Sequence, residues 1–262
     1  MTVTVPSSSE FSDLALQVTA LKDLTAKLDA RITKLETPPT PTALFSEDFS
    51  GYGDYAIPQG GLTKDGKMKN IWGIVNVMHD ASGYFARVES PYNGDGNGIS
   101  ALFLTVATFS DVKISYKVRL NKYTWTTPLN YHGAWFMQRY TDVTHHYYEY
   151  CQKDGDIEVG KKDNLPSDTA LEHQLFVGPQ PHFENPVIGK WYTFEWSMKN
   201  KSDGSIDITI SGDNGTGMKQ IYFFNDAAQT GHLPTDLVKT GRFGPYIEDA
   251  QADFTKIVVT AL

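Results

Sequence analysis

Residues 131–162 read YHGAWFMQRYTDVTHHYYEYCQKDGDIEVGKK. Three short segments, Tyr131–Tyr140, His145–Gln152 and Ile157–Lys162, are rich in aromatic and β-branched residues, and Asp154-Gly155 punctuates the last two. That pattern predicts consecutive antiparallel strands. Alternation within the middle strand puts His145, Tyr147 and Glu149 on one face and His146, Tyr148 and Tyr150 on the other. An unpaired carboxylate is expensive to bury, so the Glu149 set is expected to face outward.

The same grammar extends in both directions. Short apolar runs such as Leu44–Phe49, Ile71–Met78, Val112–Asn121, Trp191–Asn200, Arg242–Glu248 and Phe254–Leu262 alternate with Gly60-Gly61, Gly94 to Gly98, Asp203-Gly204 and Gly212 to Gly217. Nothing after residue 43 has a helical period. About a dozen strands at this spacing predict two stacked antiparallel sheets, an all-β jelly-roll sandwich, over residues 44–262.

The N-terminal part follows another rule. Phe11, Val18, Thr25 and Ile32 recur every seven residues, with Leu14, Leu21, Leu28 and Leu35 between them. This is the a and d seam of a parallel coiled coil over residues 11–36, about 40 Å long at about 1.5 Å per residue. β-branched a positions with Leu at d suit a dimer. Against that, Arg31 to Glu36 resembles the short pattern of trimeric coiled coils in which a g-position Arg reaches a neighbour's e-position Glu, and a homotrimer is the expectation. The Pro/Thr segment 37–43 reads as a stiff linker. Residues 1–10, MTVTVPSSSE, begin as a β-prone alternation and are expected to anchor the stalk in a larger assembly.

The formal net charge of −8 and the absence of a Lys/Arg cluster argue against nucleic acid and anionic membranes as partners. No apolar run is long enough for membrane insertion, and Met1 to Glu10 lacks the regions of a secretory signal. Cys151 is the one cysteine, so no intrachain disulfide framework exists.

The strands of Trp135 to Asp142, His146-Tyr-Tyr, Asp154 to Asp163, Gly189-Lys-Trp-Tyr and Gly244 to Phe254 together resemble the concanavalin A-like lectin/glucanase jelly roll, including its laminin-G-like branch. The resemblance implies a structural Ca2+ joining the ends of the head, with Glu47 or Asp48 and Asp253 at the matching positions. Asn93 to Gly98 starts like a calcium loop but has Leu104 where the bidentate Glu belongs, and reads as a glycine-rich turn. The catalytic acid triplet of the related glucanases is not reproduced: Asp154-Gly-Asp156-Ile-Glu158 has other residues at another spacing. A lyase-like set of Gln138, Arg139, His145, His146, Tyr147 and Tyr148 lacks the strand motifs of lyases on this fold. The sequence therefore favours binding over catalysis.

Flat rings stack on sugar faces while amides and charged groups bond the hydroxyls. Trp135, Arg139, His145, Tyr147 and Glu149 are the expected surface-glycan site, and the core is expected to take most of the neighbouring rings. In its architecture of peg, stalk, linker and head the chain resembles bacteriophage fibres. It is expected to be made in the host cytoplasm and carried on the virion surface as a fibre or decoration protein, bound to a capsid or tail protein through residues 1–10. A polysaccharide lyase or glycoside hydrolase on the same fold is the alternative, and an inert decoration protein a third reading.

Overall fold

In the computed structural model the described residues are 8–36, 42–91, 99–162, 173–179, 186–226 and 238–262. The chain divides into two compact units, residues 1–41 and 42–262. The first contains one helix, α1 (Ser8–Glu36). Its seam residues Phe11, Leu14, Val18, Leu21 and Leu28 are all exposed in the single chain. Thr25 bonds its own helix, Oγ1 to the Leu21 carbonyl at 2.9 Å. The tail residues 1–7, the linker residues 37–41 and the side chains of Ile32, Leu35 and Glu36 lie outside the description.

The second unit is all-β, as its punctuation predicts. Its strands are β1 (Ala43–Glu47), β2 (Tyr55–Ile57), β3 (Met68–Trp72), β4 (Ile74–Asp80), β5 (Gly83–Glu89), β6 (Ser100–Thr105), β7 (Val112–Tyr123) and β8 (Gly133–Asp142). They continue with β9 (His145–Cys151), β10 (Asp156–Lys162), β11 (His173–Pro179), β12 (Tyr192–Asn200), β13 (Ile206–Asp213), β14 (Lys219–Asp226), β15 (Arg242–Glu248) and β16 (Ala250–Ala261). One antiparallel sheet runs β14-β13-β12-β7-β16-β5-β4-β2, with β1 also on β16, and the other runs β11-β10-β9-β8-β15-β6-β3. Between them lies an aromatic core in which Tyr116 stacks on Phe136 at 3.8 Å between ring centres.

One departure from expectation has a local cause. The single strand expected over Ile71–Met78 is two, because Gly73 (φ 92°) turns the chain from the second sheet into the first. A Cβ there would lie 2.2 Å from that of Ala101, so only glycine makes the corner. The strands β2 and β11 were not expected at all. The turn at Asn93–Gly98 lies outside the described residues.

The orientation of β9 is the reverse of the one predicted. Tyr147 and Glu149 point into the sandwich and are fully covered, while Tyr148 and Tyr150 pack in a separate cluster on the other side. The interior accepts Glu149 because Tyr116 Oη donates to its carboxyl, and because burial pushes its pKa up to about 8. At neutral pH the group is carried protonated, which removes most of the cost of burying it. Tyr147 Oη donates to Asp226 at 2.5 Å, and the Lys161 ammonium lies 3.0 Å from the same carboxylate.

This interior acid makes stability depend on pH with a defined sign. The folded chain holds the Glu149 proton up to about pH 8, whereas the unfolded chain releases it near the ordinary glutamate value of 4.5. Its contribution therefore falls as pH rises through that window, by a few kcal/mol in all. Glu149→Gln is expected to narrow the loss of stability between pH 5 and pH 8 in urea titrations. A variant with the same pH profile as the wild type would show that Glu149 is ionised in the fold.

Candidate functional groove

Because the inner face of β9 is closed, the remaining aromatic cluster is on the outer face of the second sheet, where Trp135, Tyr140, Tyr148 and Tyr150 are buried and Trp72, Tyr131 and Tyr246 are partly exposed. Leu102, Tyr246, Trp135, Tyr150 and Glu158 are successive cross-strand partners on β6, β15, β8, β9 and β10. Trp135 stacks on Tyr150 at 4.5 Å and 13°, and Tyr246 meets Trp135 edge-on at 5.8 Å. The polar edges of the floor are used internally. Trp135 Nε1 donates to the Tyr131 carbonyl at 3.0 Å, and Tyr150 Oη donates to the carbonyls of Asn130 and His132.

The next row along the strands is Met137, Tyr148 and Gly160. Tyr148 lies against Gly160 and donates from Oη to Glu158 at 3.1 Å. Gln152 Nε2 donates to the other oxygen of Glu158 at 2.6 Å. Beyond it His146 pairs with Lys162, directs Nδ1 to the Asp142 carbonyl at 3.1 Å and stacks on Tyr140.

Two adjoining cavities open over this surface. One of about 450 Å³ is bordered by Tyr131, Trp135, Tyr148, Glu158 and Glu248. The other, of about 220 Å³, is bordered by Trp72, Ser100, Leu102, Tyr140 and Val143. Met137, His146, Lys162 and Tyr246 line both, so the two form one groove. Rings at the floor with carboxylates, an ammonium and phenols at the walls are the means by which protein surfaces hold hydroxyl-rich ligands.

Of the five residues expected to bind glycan, Trp135 alone lines the groove. Tyr147 and Glu149 are in the core. Arg139 sits at a bulge with φ 49° and turns inward, donating to Asn200 Oδ1 at 2.8 Å and to the carbonyls of Ser110 and Val238. Burial pushes its guanidinium down to about 10. Its function is to tie loops. His145 lies at the β8–β9 turn, 2.9 Å from the Asp142 carboxylate. The groove instead uses His146, Tyr148, Glu158, Lys162, Tyr246 and Glu248. The alternation of β9 contained that answer once the burial cost of Glu149 was set aside.

The expected calcium set is not assembled. Asp253 is fully buried between two arginines, Arg87 Nε at 2.7 Å and Arg119 Nη2 at 2.6 Å, so its charge is already met. Glu47 accepts from the Phe49 amide at 2.7 Å and from Tyr52 Oη at 2.8 Å. Asp48 caps the Ser50 amide at 2.9 Å. Among the described residues no three His, Cys, Asp or Glu side chains converge to hold a metal ion.

No protein-family profile matches the sequence, and no curated protein does. Solved structures do match. An alginate lyase, Aly36B, with a lysine and a tyrosine replaced by alanine and alginate tetrasaccharide bound, is similar at a TM-score of 0.52 and 12% identity, over 86% of this chain and 98% of that one. The alginate lyase of Aplysia kurodai is similar at 0.50 and 12%, over 84% and 100%. The fold is a jelly-roll sandwich of their kind. A carbohydrate-binding module from Bacillus subtilis aligns at 0.49 and 14%, over 74% and 96%.

Gly160 offers a direct check on the groove floor. A Cβ there would fall 2.2 Å from the Tyr148 ring, which has no way to recede except outward. Gly160→Ala is expected to lower stability by about 1–3 kcal/mol and to alter the near-ultraviolet circular dichroism of the aromatic cluster. An unchanged melting temperature and spectrum would mean that the ring does not rest on this glycine.

Proposed function

We propose that the protein is a multi-copy glycan-binding fibre whose head takes a surface saccharide in the groove of the second sheet. One observation carries the reading: the stacked floor of Trp135 and Tyr150, with Tyr246 edge-on, lies beneath a groove walled by hydrogen-bonding side chains. The exposed heptad seam of α1 supports a stalk, since five large apolar side chains in one stripe need other helices to cover them. Arg31 at a g position supports three helices. This order of elements resembles bacteriophage fibres and supports a place on the virion surface, with residues 1–10 bound to a capsid or tail protein.

A polysaccharide lyase is the second reading, favoured by Lys162, His146, Tyr148 and Tyr246 lying in the same groove. Elimination from a uronate needs a cation at its carboxylate and groups that take and give a proton, and these residue types supply both. Alginate lyases are among the structural neighbours, one with a lysine and a tyrosine replaced.

Stalk and chemistry are tested separately. On a polysaccharide-coated surface the full chain is expected to dissociate at least about tenfold more slowly than a head of residues 42–262, with equal single-head affinity in solution. Equal dissociation would show that the helix does not gather heads. Incubation with alginate is expected to give no rise in the ultraviolet absorbance of unsaturated chain ends. A steady rise that Tyr246→Phe or Lys162→Gln abolishes would replace the binding reading with the lyase one.

A further inference from the structure

The groove changes character along its floor. One row of cross-strand partners crosses the second sheet from Trp72 on β3 through Leu102, Tyr246, Trp135 and Tyr150 to Glu158 on β10. It begins in an indole and a leucine and ends in a carboxylate. The two cavities divide along the same line. Met137, His146, Lys162 and Tyr246 border both and so distinguish neither. Glu158 and Glu248 border only the larger, whereas Trp72, Ser100, Leu102, Tyr140 and Val143 border only the smaller.

The wall peculiar to the smaller cavity presents mostly carbon. Trp72 Nε1 donates to Ser100 Oγ at 3.0 Å, so the polar edge of the indole is already used. Leu102 has no polar side-chain atom. Val143 is 58% exposed at the β8–β9 turn, where the Thr144 amide donates to Asp142 Oδ1 at 2.8 Å and holds the loop without help from the valine. A hydroxyl set against Trp72, Leu102 and Val143 leaves water without gaining a partner from them, while a methyl group there buries carbon against carbon. We infer that the smaller cavity takes a methyl group carried by the sugar, that of a 6-deoxyhexose or of an acetyl substituent, with the hydroxyls of the same saccharide turned to the larger cavity. This rests on the glycan-binding reading and names the substituent that its ligand carries.

Ligand-observed NMR titration of the full chain with three matched pairs tests it. Methyl α-L-fucoside with methyl α-L-galactoside, and methyl α-L-rhamnoside with methyl α-L-mannoside, differ by one hydroxyl at C6; chitotetraose with cellotetraose differs by the acetamido group. In at least one pair the methyl-bearing member is expected to bind at least about tenfold more tightly, the scale of one small apolar group in a fitted pocket. A 6-deoxy pair that responds identifies the methyl as that of the sugar itself, and the tetraose pair identifies it as acetyl. Val143→Ser, at an exposed turn position, should reduce the preference to about threefold or less, and Trp72→Ala should abolish it. Equal binding within every pair, or a preference that Val143→Ser leaves unchanged, would overturn the inference while leaving glycan binding in place. No binding of any of the six would overturn both.

Discussion

The phenol of Tyr116 donates to the carboxyl of Glu149 across the interior, from β7 on one sheet to β9 on the other. This bond sets the facing of β9, and β9 sits between β8 and β10, both of which line the groove. With Glu149 inward, alternation turns Tyr148 and Tyr150 outward, where Trp135 from β8 and Glu158 from β10 stand beside them. A slip of one residue would exchange every side chain between core and groove. The interior acid thus specifies an orientation that a purely apolar residue would leave to packing alone.

The groove floor is rigid for reasons that also lie in the sheet. Tyr150 is held by two carbonyls, Trp135 by one, and Tyr148 by Glu158 and the absence of a side chain at Gly160. None of these rings has to be ordered when a ligand arrives, so little conformational entropy is lost at the floor. On the outer face of the other sheet, Asp253 with Arg87 and Arg119 joins β16, β5 and β7. That cluster is internally satisfied, which fits a structural role.

Much of the fold was legible. Alternation and glycine punctuation carried the sandwich, because each strand buries one face and each turn needs a residue free of strain. The site was less so, and for a single reason. The reading of β9 treated Glu149 as a charge, whereas the core holds it as a neutral acid, and that substitution reverses the strand. Arg139 was misplaced by a bulge, visible only in its φ of 49°. Tyr246, Glu248 and Lys162 come to Trp135 through pairings between distant strands, which local pattern does not encode.

Ligand titration of two single variants decides which side of β9 meets the proposed glycan. Tyr246→Ala removes a groove wall, and Glu149→Gln changes an interior group while preserving its shape. With tryptophan fluorescence or calorimetry on a glycan that the wild type binds, Tyr246→Ala is expected to lose binding at least about a hundredfold, on the order of 3 kcal/mol. Glu149→Gln is expected to bind within about threefold of the wild type. Loss of binding in Glu149→Gln with retention in Tyr246→Ala, both variants folded, would contradict the account.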